Sequence, residues 1–427
     1  MKSMLHQMIT ILLLAGFLLG AEMVLAIAED PEVSFKEAMQ ARESGDILGS
    51  IEILESIITH EPLLHRARLE LAVAYYRAIQ YEEAEREAQR VLDDPETPDA
   101  VRLSIIAFLA QIRADSARFA ATRHEFHPFI SVGYLHDTNV NIGPSSDVVN
   151  IGATALRVAP GSVPQSDNAV TLAAGFSHTF KTGKLVNIAN KSAAFLWQSQ
   201  AAMYTRQYEE LANFNLDVTS LSTGPAFIVP RYWRGNVSFR LDNIELGHDR
   251  LALYTSILPS ITWLLNETTD LTLSASLADR DFYQTIDKGR DNVYREIGIS
   301  LGKRYMNDRV AILVGLNLFE ESADNDVFSR DGTQIFAGVN WNAWENGSLY
   351  ANYRQRDYKH DAPEPLFNEK RDEREERFAI GASHEFKDGL LNKWVLNGSY
   401  TNTDNVSNVD IYDFDREVVS ATLSRTF

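Results

Sequence analysis

Histidine, acidic and amide side chains come close together at a few places where chemistry is conceivable. His124-Glu125-Phe126-His127 sets two imidazoles three positions apart with a carboxylate between them. A zinc helix of the His-Glu-x-x-His kind needs its imidazoles one helical turn apart on one face, so this spacing does not build that site. Asp137, Asn139 and Asn141 place oxygens at alternate positions, as the start of a calcium loop does. The glycine then comes one place late, at Gly143, and Val148 stands where a bidentate Glu is needed. The better reading is a strand end whose Asp and Asn side chains bond nearby backbone. His136, Ser131 and Asp137 can be drawn as a rim triad, but any β protein of this size offers such sets. There is no phosphate-binding Gly-rich loop and no Gly-x-Ser-x-Gly elbow. The chain is therefore expected to be no enzyme and to use no cofactor or metal. With no Cys it has neither disulfides nor thiolate ligands.

The elements that carry these residues change character near Arg123–Pro128. Before that point the apolar residues follow a helical period and Gly is scarce; after it Gly, Asn, Thr and aromatics rise and the period drops to two. Val170, Leu172, Ala174, Phe176, His178 and Phe180 share one face of such a run, and Thr171, Ala173, Gly175, Ser177 and Thr179 the other. Strands are expected to begin near Phe129, Val170, Ala193, Phe214, Tyr232, Leu253, Leu271, Val293, Val310, Gln334, Leu349, Arg377, Trp394 and Arg416. Fourteen is an even number, and a spacing of roughly 20 residues suits strands of about ten joined by alternating short turns and longer loops. Lys181-Thr182-Gly183, Asn346-Gly347 and Lys387-Asp388-Gly389 read as tight turns. Asn141–Asp167 and Asp357–Glu376 read as longer loops, and the dense charge run Glu369–Arg377, which overlaps the second, reads as a solvated loop.

Both ends of the chain point to one location. Val419, Ala421, Leu423, Arg425 and Phe427 fall on one face of a closing period-2 strand, which is how an outer-membrane barrel ends and where the insertion machinery reads its signal. Arg425 departs from the apolar residue or Tyr usual there. At the other end Lys2, the apolar Ile9–Leu19 and Ala26-Ile27-Ala28 read as a secretory leader cleaved after residue 28. The expected organisation is thus a leader over 1–28, a periplasmic helical domain over 29–122 and an antiparallel transmembrane barrel of about fourteen strands over 123–427. The net charge of −19, acidic in both mature regions, argues against nucleic acid as a partner.

The helical region repeats itself at an offset of 34 residues. Leu71, Ala72, Tyr75, Tyr81, Ala84 and Ala88 fit a tetratricopeptide pattern, and Ala38, Ala41, Ile47, Ser50 and Leu54 correspond to them one repeat earlier. A further helix is expected over Asp99–Ala121, with Val101, Ile105, Phe108 and Ile112 on one stripe. Such arrays bind peptides or proteins in a groove, so Tyr75, Tyr76 and Arg77 are candidate client-binding residues, although Tyr75 also suits internal packing.

The first barrel strand, Phe129-Ile-Ser-Val-Gly-Tyr-Leu-His-Asp-Thr-Asn-Val-Asn141, and the last, Tyr400 to Arg416 running on to Phe427, resemble the surface lipoprotein assembly modifier (Slam) family. In that family the barrel opens with Gly-Tyr-x-x-Asp-x-Asn-Val-Asn and closes with an Asn-rich loop and a Tyr-Asp-Tyr-like-Arg strand; Phe414 stands here where Tyr is common. The resemblance implies periplasmic tetratricopeptide repeats, a fourteen-stranded barrel, and help for client lipoproteins in reaching the cell surface. Asp137, Asn139, Asn141, Tyr412, Asp413, Asp415 and Arg416 then lie on the first and last strands or their loops, neighbours at the barrel seam, and Phe427 acts in insertion. The expected partners are outer-membrane lipid, the barrel-insertion machinery, and a client lipoprotein or an exported polymer. The alternative function is an exopolysaccharide-export or passive porin-type channel.

Overall fold

The computed structural model describes residues 31–95, 97–151 and 154–427, so the leader expected over 1–28 lies outside the described residues. Five helices come first: α1 (Pro31–Ser44), α2 (Ile47–His60), α3 (His65–Arg77), α4 (Tyr81–Leu92) and α5 (Asp99–Ala121). Each packs on the next. Ala38, Ala67, Ala72, Ala74, Ala78, Ala84 and Ala88 are fully buried among them, which lets the helices approach closely, while Leu54, Leu71 and Ile112 fill the core. The 34-residue offset is visible as two successive helical hairpins, α1–α2 and α3–α4. The last helix has the expected limits, with Ile105 and Ile112 buried and Val101 and Phe108 packed beside them.

The barrel strands are β1 (His124–Asp137), β4 (Asp167–Ile188), β5 (Lys191–Tyr208), β6 (Leu216–Val229), β7 (Trp233–Leu246), β8 (Asp249–Asn266), β9 (Thr269–Phe282), β10 (Asn292–Tyr305), β11 (Val310–Ala323), β12 (Arg330–Trp344), β13 (Gly347–Glu364), β14 (Glu369–Glu385), β15 (Val395–Ser407) and β16 (Phe414–Thr426). A separate hairpin, β2 (Val148–Ile151) and β3 (Thr154–Arg157), lies in the loop after β1. Every barrel strand pairs antiparallel with its neighbours, and β1 closes on β16 to complete a fourteen-stranded cylinder. Each expected strand start falls inside a barrel strand or within two residues of one.

Alternation decides what faces where. In β1, Val132 and Tyr134 are 44% and 48% exposed, whereas Gly133, Leu135 and Asp137 on the other face are buried. Their cross-strand partners keep the same sense, with Val170, Leu172 and Ala421 also exposed. Around the cylinder, Leu277, Ile299, Leu316, Ile335 and Ile380 repeat the pattern. So much apolar surface on an outer wall has no place in water, and with its backbone fully paired the cylinder is a transmembrane barrel of the outer-membrane type. Among the described residues no helix is long and apolar enough to cross a membrane.

Three local expectations need correction. Lys181-Thr182-Gly183 is a β-bulge inside β4, where the register slips between Lys181 and Lys184; Gly183 takes a φ of +74° and sits against Phe119 of α5. A left-handed Gly marks a bulge as well as a turn. The reversal comes later, at Ala189 and Asn190, both at positive φ. Asp357–Glu376 is mostly strand, with pairing out to Glu364↔Glu369. The charge run there is laddered: Arg374 reaches Asp357 and Lys359 reaches Asp372 across β13 and β14, both at 2.7 Å. Opposite charges on facing positions stabilise a strand pair, so the charged stretch Glu369–Arg377 is β14 and not a solvated loop.

The helical core should behave as a unit separate from the barrel. Leu54→Ala should lower its stability by about 2–5 kcal/mol. Heating the full chain in detergent, the helical far-UV signal of this variant should melt earlier while the folded barrel band on unheated SDS gels is retained; an unshifted helical transition would contradict the packing.

Candidate functional site

Of the residues expected at the seam, Asp137, Asn139, Asp415 and Arg416 contact one another, whereas Asn141, Tyr412 and Asp413 bond to other residues. Nine residue pairs join β1 to β16, from Phe129↔Thr426 to Asp137↔Val418. At the loop end of that ladder Asp137 is fully buried. Arg416 donates to it through two nitrogens, Nε to Oδ1 at 2.9 Å and Nη2 to Oδ2. Tyr208 of β5 donates its hydroxyl to Oδ2 at 2.8 Å, and the Asn139 amide donates to Oδ1 at 3.1 Å. Forked guanidinium–carboxylate pairing offsets the cost of burying this charge only because the remaining oxygen positions are also satisfied. Leu135, Val140, Ala169 and Tyr208 form a small buried apolar cluster at this end of β1, and the Arg416 side chain stays partly exposed.

Asn139 ties the loop to the seam. Its Nδ2 donates to the carbonyls of Gly143 and Asp415, both at 2.9 Å, and its Oδ1 accepts from the Gly143 amide at 2.7 Å. Gly143 admits no side chain, since a Cβ there would lie 2.6 Å from the Ser162 carbonyl oxygen. Asn141 closes the far side of the loop, accepting from Gln165 N and donating to Val163 O. Asp413 and Asp415 act through their carbonyls, Asp413 accepting from the Ser145 amide at 2.8 Å. Tyr412 accepts at its carbonyl from Asn405 Nδ2 at 2.6 Å, and the Arg371 guanidinium lies 3.5 Å from the centre of its ring. The result is a folded lid in which the loop after β1 is bonded to the loop before β16.

The catalytic drawings do not assemble. His136 bonds Asn168 on the opposite face of β1 from Asp137. His124 of β1 stacks diagonally on His178 of β4, and Glu125 pairs with Lys181. Among the described residues no group of His, Asp and Glu converges as metal ligands do.

In the helical domain the three candidate groove residues divide. Tyr75 is interior, its hydroxyl bonded to Glu55; burial first and that carboxylate second push its ionisation up, so it stays neutral. Tyr76 is half-buried against Tyr81 and Phe108 and bonds Asp115, whose carboxyl this holds below the usual range. Arg77 is exposed. At the terminal end of β16, Phe427 donates its amide to Pro128 O at 2.9 Å and is 61% exposed, with the Arg425 guanidinium 4.7 Å from its ring centre. Arg425 thus sits on the outer face beside an aromatic, as an interfacial cation does.

Two features carried no readable signal in the chain. Tyr208 lies in the middle of the sequence and reaches Asp137 only because β5 pairs with β4, which pairs with β1, so its side chain spans one intervening strand. The helical domain is bonded to an extension of β4 and β5. Ser192 N donates to Gly45 O at 3.0 Å, Leu48 N to Ser192 Oγ at 2.8 Å and Asn187 Nδ2 to Asp46 Oδ1 at 3.1 Å, Lys191 reaches Ser44 O, and Leu185 packs on the helical core. Asp46 also caps α2 through Gly49 N, so one carboxylate starts the helix and anchors it to the barrel. The lumen wall of β4 to β10 is small and polar, leaving a cavity of about 580 Å³ lined in part by Ser177, Gln200, Ser222, Asn236, Arg240 and Ser260.

No family model matches the chain, and no curated protein does. Among solved structures, OpdO of Pseudomonas aeruginosa is 9% identical and aligns over 71% of this chain and 97% of its own, with a TM-score of 0.35. A loop L8 deletion mutant of OmpT from Vibrio cholerae is 7% identical over 71% and 100%, at 0.41. A bacterial polysaccharide outer membrane secretin is 10% identical over 70% and 98%, at 0.37. At such identities and scores these likenesses say nothing of activity.

Arg416→Gln should strand the buried Asp137 charge and cost about 3–5 kcal/mol, whereas Tyr208→Phe, which removes one hydrogen bond to that carboxylate, should cost about 1.5–3 kcal/mol. Urea titration of the heat-modifiable folded band reads both; equal and negligible effects would show that the pair does not hold the seam.

Proposed function

We propose that this protein is an outer-membrane transport factor that moves a client from the periplasm toward the cell surface. In this reading the two helical hairpins work as tetratricopeptide-like repeats that receive the client, and Tyr76 and Arg77 border the receiving surface. The barrel carries or displays it, and the resemblance of the seam strands to surface lipoprotein assembly modifiers makes a lipoprotein the favoured client. Phe427 serves recognition by the insertion machinery. The observation that supports the reading most is the bonded joint between Gly45–Leu48 and β4–β5. A helical domain tethered by a flexible linker would sample the periplasm at large; one bonded to the barrel's rim hands whatever it holds to one fixed place. No nucleotide is used in this reading, so direction comes from client folding and binding outside.

A channel for a smaller solute or an exported polymer is the second reading, favoured by the polar cavity on the β4–β10 wall. It requires conductance without any change in surface proteins.

Deletion of the gene followed by proteomics of protease-shaved cells separates the two. Loss of one or a few lipoproteins from the surface, restored by the wild-type chain and not by an Asp46→Ala, Lys191→Ala variant, is the expected result. Unchanged display of every lipoprotein would remove the client reading, and steady single-channel conductance in a planar bilayer would then favour the second.

A further inference from the structure

The lumen wall built by β13 and β14 carries an arrangement that proteins avoid without a reason. Arg354 and Arg377 stand directly opposite each other in the β13–β14 register, on the inward face. Their strand neighbours settle the direction, since Phe378 and Ile380 are exposed on the outer wall. Like charges on facing positions destabilise a strand pair. A second guanidinium, Arg356, lies two residues along β13 on the same face, opposite Glu375. Arg354 takes that carboxylate, Nη2 to Oε1 at 2.5 Å. The Arg356 guanidinium instead lies 4.5 Å from the ring centre of Phe319, and neither it nor Arg377 has an ion pair among the described residues. The Nε atoms of Arg354 and Arg356 are buried without a hydrogen-bond partner. The other nearby cations are committed elsewhere: Arg371 to Glu373, Arg416 to Asp137, and Arg374 to Asp357 on the outer side.

Three guanidiniums therefore share one carboxylate on a polar inner wall, in a chain whose net charge is −19. Self-repulsion of this kind is relieved when an oxyanion lies between the forks, each of which presents two parallel donors. Stacking on Phe319 pre-orients Arg356 and lowers the entropy of forming that contact. We propose that Arg354, Arg356 and Arg377 form a binding site in the lumen for an oxyanion group, phosphate or carboxylate, of a solute or of a passing client. The site does not depend on the client being a lipoprotein.

Equilibrium dialysis of the detergent-solubilised full chain against radiolabelled inorganic phosphate, with citrate as competitor, tests it. Saturable uptake of phosphate, or of labelled citrate in its place, is expected, and an Arg356→Gln, Arg377→Gln variant should bind at least about tenfold more weakly. Arg354 is kept so that Glu375 retains its partner. Arg374→Gln, on the outer wall, should bind like wild type. Retention of the heat-modifiable band shows that the double variant is folded. Absence of saturable uptake of either anion, or undiminished uptake by the folded double variant, would overturn the site. Neither result bears on the surface-display assay, so the failure of one proposal is told apart from the failure of the other.

Discussion

No water is available inside a bilayer to satisfy an open strand edge, and that constraint orders most of this molecule. A sheet that enters hydrocarbon must return to its own first strand. Here the return is made by β16 on β1, nine residue pairs long, the shortest of the pairings around the cylinder. The ladder is reinforced where it ends. Arg416 and Asp137 come from strands nearly the whole barrel apart in sequence, and their buried pairing cannot form unless the cylinder is closed. The lid above them, held by Asn139, Gly143 and Asp413, inherits its shape from the same closure. The pair is thus a closure device as much as a stabilising contact, because an unpaired Asp137 in that apolar pocket would be costly.

The second organising feature is the joint between the two parts. Asp46 terminates the link between α1 and α2, caps α2, and accepts from the β4–β5 extension. On the other side of the same hairpin the Gly183 bulge lets β4 turn beneath Phe119 as α5 passes into β1. The helical domain is therefore held at two points along one strand hairpin, and both rest on residues with little margin for substitution: a left-handed Gly and a carboxylate with two partners.

Period-2 alternation made the barrel legible in the chain, because lipid on one side and a polar lumen on the other sort residues such as Val170, Thr171 and Leu172 strictly. The seam was legible only in part: Asp137, Asn139 and Asn141 read as a strand end from their own side chains, whereas Arg416 entered only through the resemblance of the closing strand to the Slam family. Alternation fails where both faces are wet. Glu369–Arg377 extends beyond the apolar belt, so its charges resemble a loop until the β13 partner positions are known. The bulge at Gly183 and a turn present the same residues, and only the pairing on either side tells them apart. Tyr208 and the opposed Arg354 and Arg377 were invisible for a stronger reason. Their meaning lies in contacts across strands, which no local pattern carries.

The cysteine-free chain permits a direct test of closure. Ser131 and Ser424 face each other across β1 and β16 on the inner wall. With both replaced by Cys, mild oxidation of native outer membranes should join them within one chain. On non-reducing gels this should give a band that resists opening by heat and reverts with reductant, whereas either single variant gives none. If the double variant stays unlinked while its barrel remains heat-modifiable, β1 and β16 are not paired as described, and the account of the seam, the lid and the lumen built on that closure fails.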